Sequence, residues 1–194
     1  MGSQQLIRLG RLTDGVFAVS IVVLVAALPQ PTESEWQGDT PLGFLGHHAN
    51  DLSFVLIAML LVGIYWHQSN GLLGSLRGTD GRHASLVLAQ VCLLVLYLYI
   101  VSLAVDFPDS AEVLALQSIG AAVVGLLSML GWRYASKNRR LLADDITQEN
   151  VAKMNKAGLA EPLTALVTLP FAWLGPDIWG LSWLSYLLVQ RLLK

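Results

Sequence analysis

The sequence predicts an all-α integral membrane protein with six transmembrane helices. Three observations predict it. Hydrophobic residues make up 54% of the 194 positions and charged residues 13%, against roughly 25% charge in an ordinary soluble domain. Six apolar segments lie close to the length of about 20 residues that a bilayer core requires. All twelve Lys and Arg residues fall on one side of those six spans. The mean hydropathy of +0.57 agrees. This composition excludes a disordered chain, a basic nucleic-acid binder and a disulfide scaffold, since Cys92 stands alone. Too little charge remains to cover the surface of a soluble enzyme.

The first span runs from about Leu12 to Pro29 and the second from about Phe44 to Gln68, densest in FVLIAMLLVGIYW. The third covers about Ala84 to Val105 and the fourth about Ala111 to Tyr134. The fifth, about Ala157 to Leu174, is weaker and is interrupted by Pro162 and Pro170. Neighbouring helices satisfy the carbonyls that such prolines free, so a kinked span is expected. The sixth is about Ile178 to Leu193. The longest soluble stretch is the 4–5 loop, about Ser136 to Lys156, so residues 1–194 read as a single six-helix transmembrane domain.

Orientation follows from the basic residues. They occupy the N-terminus (Arg8, Arg11), the 2–3 loop and its flank (Arg77, Arg82), the region from Arg133 to Lys156, and the C-terminus (Arg191, Lys194). The positive-inside rule puts both termini in the cytoplasm. The opposite loops and flanks hold Glu33, Glu35, Asp39, Asp51, Asp106, Asp109, Glu112 and Asp177 and no base. Those acids read either as a cation-concentrating vestibule or as the other side of the positive-inside rule. Arg8 and Arg11 before an apolar run also look like a secretory signal, but five further spans follow.

Catalytic motifs are scarce: there is no P-loop, GxGxxG, HExxH or CxxC. His47 and His48 are adjacent, about 100° apart on a helix, and so do not make an i, i+4 ligand pair. His83, beside Arg82, reads as a solvated cytoplasmic residue. No convergent set of polar residues stands out inside the spans, and no metal site is expected.

The informative segment opens the first span, R-L-G-R-L-T-D-G-V-F-A, with Arg8, Arg11, Thr13 and Asp14. Thr13 or Asp14 caps the helix in one reading. In the other, Asp14 is buried and paired with Arg8, Arg11 or a polar residue of span two, since intramembrane ionisable groups are costly and usually functional. Beyond it, Gly15, Val19, Val22, Val23 and Ala26 share one helical stripe that ends at Pro29. Such a stripe suits close helix packing or the lining of a narrow pore that gates by dewetting.

With these residues the chain resembles the transmembrane protein 175 family of potassium channels. The family motif is R-x-x-x-F-S-D followed by G-V-F-A-I-A-I-T-L-L-V-L. Here Arg8 and Asp14 stand at the right spacing, Gly15 to Ala18 match outright, and Leu12 and Thr13 replace the Phe and Ser. In span two Trp66 matches a family tryptophan, whereas His67 is displaced and Ser69 and Asn70 hold the expected histidine positions. Val105 to Pro108 looks like a variant of a P-F-P ending, and Trp132 to Ala135 reads W-R-Y-A as the family's fourth span does.

The resemblance implies a prokaryotic cell-membrane homotetramer that is not an enzyme. It implies no bound cofactor, K+ as permeant ion, and the lipid bilayer and its own copies as partners, with no nucleic acid. The first helices of four subunits would line the pore through Val19, Val22, Val23 and Ala26, without a carbonyl filter. The family's first aliphatic gate falls on Val19, and its second falls on the smaller Ala26. Val22 replaces a threonine credited with potassium selection, which implies only a modest preference for K+ over Na+. Arg8, Thr13, Asp14, Trp66 and His67 would form a structural network, with an Arg8–Asp14 pair locking the helix. The competing readings are a proton-permeable channel or transporter centred on Asp14 and a non-conducting scaffold.

Overall fold

The computed structural model describes residues 2–26, 28, 30–32, 38 and 40–193, apart from the side chains at 50, 51, 53, 54, 57 and 105. Pro29, Glu33, Glu35 and Asp39 lie outside the described residues, as does the Asp51 side chain. The described chain is all-α, and its only β-type pairing is an isolated bridge between Leu76 and Leu142.

Helix α1 spans Gly2–Ala26. It begins ten residues before the expected Leu12. Leu9 is buried and Leu6 packs beside it against Trp132, Ala135 and Leu142, so tertiary contact carries the polar first turns into the helix. Thr13 and Asp14 therefore sit mid-helix, and neither is a cap. A short helix α2 (Pro41–His47) is capped by Thr40, whose hydroxyl accepts the Gly43 N–H at 3.1 Å. It leads directly into α3 (Ala49–Gly74).

Helix α4 (Gly81–Asp106) opens on Asp80, which accepts the His83 N–H at 2.9 Å. Ser110 caps α5 (Ala111–Ser136) by accepting the Val113 N–H. Thr147 does the same for α6 (Gln148–Thr168) through Asn150 N–H. Between α5 and α6 a short 3-10 turn, Lys137–Arg139, holds Asn138 and Arg139 at φ of 55° and 53°. The Arg139 guanidinium pins this loop by donating to the carbonyls of Ile146 at 2.8 Å and Ala143 at 3.2 Å.

Among the described residues, four helical stretches are long and apolar enough to cross a membrane: Gly2–Ala26, Gly81–Ala104, Ala111–Arg139 and Gln148–Leu174. Helix α3, with 26 residues, is of similar length. The fifth span extends α6 into a 3-10 segment, Leu169–Leu174, at Pro170. Inside α6, Thr164 and Thr168 donate to the carbonyls of Ala160 and Ala165, which keeps their hydroxyls satisfied in an apolar bundle.

The sixth segment is not one continuous helix. It divides into α7 (Pro176–Ser182) and α8 (Ser185–Leu192). The Ser182 hydroxyl takes the Trp179 carbonyl at 2.6 Å, and the Trp183 N–H bonds Gly180 instead, so the turn tightens to i→i−3 bonding.

The core has two main parts. One joins Phe17 and Leu24 of α1 to Val62 and Tyr65 of α3, Leu94 and Tyr97 of α4, Ala121 and Val124 of α5 and Ala165 of α6. The other gathers Leu9, Leu73, Val87, Trp132 and Leu142 at the end of the bundle that holds the 75–80 and 137–147 loops. Small residues let α5 and α6 approach closely: a Cβ on Gly125 would sit 3.0 Å from Pro162 Cδ.

Candidate functional site

The two faces of α1 differ completely. Leu9, Thr13, Phe17, Ser20 and Leu24 are buried against the bundle at spacings of four, four, three and four. The two hydroxyls on that face turn back on the helix, Thr13 Oγ1 to Leu9 O and Ser20 Oγ to Val16 O, both at 2.9 Å. The face thus presents no unsatisfied polar atom to its neighbours. Val19, Val22 and Val23 lie on the other side with 60%, 66% and 60% of their surface exposed, and Ala26 is exposed with them. The aliphatic stripe is not used for packing within one chain.

Beside the stripe runs an apolar groove of about 660 Å³ between α1 and α4. Val19 and Val23 line one wall, and Leu98, Tyr99 and Ser102 line the other.

Lower on α1, Asp14 accepts a hydrogen bond from Trp66 Nε1 of α3 at 2.8 Å. Arg8 is exposed and makes no ion pair with Asp14 among the described residues. Six helical positions separate the two by about 240° around the axis, which keeps the side chains apart. His67 is exposed and Thr13 bonds only its own helix. Of the five residues expected to form one network, the structure joins Asp14 to Trp66 alone.

His83 is buried, with 3% of its surface exposed, and its Nδ1 lies 2.8 Å from Thr79 Oγ1. The expected solvated histidine is therefore part of the helix α4 entry. There the His83 N–H bonded to Asp80 holds that carboxyl below its ordinary range; burial opposes this, and the Tyr134 hydroxyl and the Arg140 charge reinforce it. Arg140 in turn donates to the Tyr134 hydroxyl at 2.7 Å.

Polar groups do converge inside the bundle, contrary to the sequence-based expectation. Ser118 and Thr168 hydroxyls lie 2.9 Å apart, and Trp179 Nε1 donates to Ser118 at 2.9 Å. The Tyr65 hydroxyl donates to Glu161 Oε1. The available signals were an acid beside a proline in the fifth span and Thr164 and Thr168 one helical turn apart. No group of three His, Cys, Asp or Glu residues that could hold a metal ion occurs among the described residues.

Residues 8–99, just under half of the chain, match the family model for the endosomal/lysosomal potassium channel TMEM175. That stretch contains Asp14, Trp66 and the whole exposed stripe. The crystal structure of a lysosomal potassium-selective channel TMEM175 homologue from Chamaesiphon minutus superposes with a TM-score of 0.79 at 13% identity, over 98% of this chain and 99% of that one. The two share a fold. None of the curated proteins compared matches the sequence. The motif-bearing segment is thus similar to the TMEM175 potassium-channel family, and the whole chain shares its fold with a TMEM175 homologue.

Proposed function

We propose that the chain, as one domain of six spans with both termini cytoplasmic, forms a homotetramer in a prokaryotic cell membrane. The tetramer conducts K+ along an axis lined by α1. The observation that carries this reading is the exposure of Val19, Val22 and Val23 on a helix whose opposite face is fully packed. A helix this apolar, with one face left open, needs lipid, water or other copies of itself on that side.

Four such stripes facing each other make a narrow aliphatic tube. Val19 and Val22 form the constriction, which conducts when wide enough to stay wet and blocks when it dewets. Ala26 leaves the outer end wider. Valine at position 22 offers no oxygen to replace a hydration-shell water, so the preference for K+ over Na+ is modest. Exposed Asp106, Asp109, Glu112 and Asp177 raise cation concentration near the outer mouth. The Trp66–Asp14 bond sets the rotation of α1, and so which side chains face the axis.

The test is flux from proteoliposomes under opposing K+ and Na+ gradients. Val19→Ser is expected to raise conductance, and Val22→Thr to shift the reversal potential toward K+. Unchanged flux in both variants removes α1 from the pore. Proton current lost in Asp14→Asn supports the proton path, and crosslinked tetramers without any flux support a scaffold.

A further inference from the structure

Glu161 is an ionisable residue of the fifth span to which the pore reading gives no role. It sits in α6, thirteen residues from Gln148, or about 20 Å along the helix axis. The side chain is partly buried, and its hydrogen-bond donor is Tyr65 of α3, a residue only 5% exposed in the main core. The ion pairs at Arg77–Asp144 and Lys153–Glu149 lie elsewhere, in the loops and the start of α6.

Among the described residues, no ion pair is recorded for it. Tyr65 faces it from α3, and Tyr186 of α8 lies within electrostatic reach. Helix α5 carries its ionisable residues, Glu112, Arg133 and Tyr134, at its two ends and packs Gly125 against the neighbouring Pro162. On α6 itself, Lys156 is exposed, more than a turn away. A lone carboxylate at this depth is costly, whereas a neutral carboxyl can accept the tyrosine proton through its carbonyl oxygen.

We propose that Glu161 keeps its proton in the folded protein and, through Tyr65, acts as a positioning residue that fixes α3 against α6. The next residue on α3 is Trp66, which holds Asp14 of α1. Two adjacent side chains of α3 thus tie the fifth span to the first. Pro162 seated on Gly125 keeps α6 from yielding at this point. Protonation of Glu161 stands independently of the pore reading; its effect on conduction rests on that reading.

The experiment compares the native protein with Glu161→Gln, Glu161→Ala and Tyr65→Phe in detergent and in proteoliposomes. The folded state holds one more proton than the unfolded state, so stability falls as pH rises above the ordinary carboxyl range. The native melting temperature is expected to drop by several degrees between about pH 5 and about pH 9. Glu161→Gln, which mimics the neutral acid, is expected to match the native protein at the lower pH and to lose most of that drop. Glu161→Ala and Tyr65→Phe are expected to melt lower at both. Flux in Glu161→Gln is expected to stay native-like and to lose its alkaline decline. A Gln variant with the native pH profile, or one as unstable as the Ala variant, overturns the proposal. The expected melting curves with no flux from any form uphold the protonation and sink the channel reading instead.

Discussion

Helices α1 and α5 are both long and apolar, yet they stand in opposite relations to the chain. In α5, 56% of the apolar window is buried; in α1 it is 28%. Helix α5 contributes thirteen buried residues, including Ala121, Ala122, Gly125 and Ala135, whose small size lets neighbours close in on several sides. Helix α1 spends one narrow face on the bundle and leaves branched aliphatic residues on the other. Hydropathy alone does not separate the two roles. The number of sides that the bundle covers does: several around α5, and one narrow face on α1.

Four substitutions sharpen or break that contrast. The largest effect is expected from Phe17→Ala, which empties a site 3% exposed on the packed face of α1 and costs about 3–5 kcal/mol. Thermal unfolding in detergent reads it, and a loss below about 1 kcal/mol would mean that α1 is loosely held on both sides. Gly125→Val in α5 comes next, at about 1–3 kcal/mol, because its new side chain meets the Pro162 ring.

Asp80→Ala at the head of α4 follows with about 1 kcal/mol for a lost cap. Its pH signature is separate. Since the folded carboxyl titrates below the ordinary value of 3.8, its contribution is full above that value and disappears as pH falls through the folded one. The native protein should therefore lose stability more steeply than the variant on the acid side. Val22→Ala is the smallest, within about 0.5 kcal/mol for the isolated protomer, while conductance changes. A stability loss equal to that of Phe17→Ala would make the exposed stripe a packing face of the protomer.

Much of the architecture was legible in the sequence because hydropathy and charge sidedness are long-range, redundant signals. The four clear candidate spans among the described residues overlap predicted segments, two of them starting nine or ten residues earlier. The details that failed depend on single side-chain contacts. The early start of α1 rests on Leu9 meeting Trp132 and Leu142 from distant segments. The break at Trp183 rests on one serine hydroxyl.

At the site, the exposed stripe was readable from helical spacing. Trp66 was readable from the family resemblance as part of a network with Asp14, and of that network the Trp66–Asp14 bond is the part the structure joins. Glu161 escaped notice because one acid in a weak, proline-broken span carries no periodic signal. Its tyrosine lies 96 residues away in the chain.

The base of α1 has a mechanical consequence. Its first described residue is tied to the 75–80 loop, where Thr79 N–H bonds Gly2 O at 3.2 Å. Gly78 sits so close that a Cβ there would fall 3.1 Å from the Gly2 carbonyl carbon. A continuous helix tied at its base and packed along one face moves as a rod with the neighbours it packs against. Val22 lies about 30 Å up the shaft. A tilt of only about 5° about the base therefore displaces it sideways by roughly 2–3 Å, on the scale of a water molecule. A small tilt of α1 together with its neighbours is thus geometrically amplified at the far end of the rod.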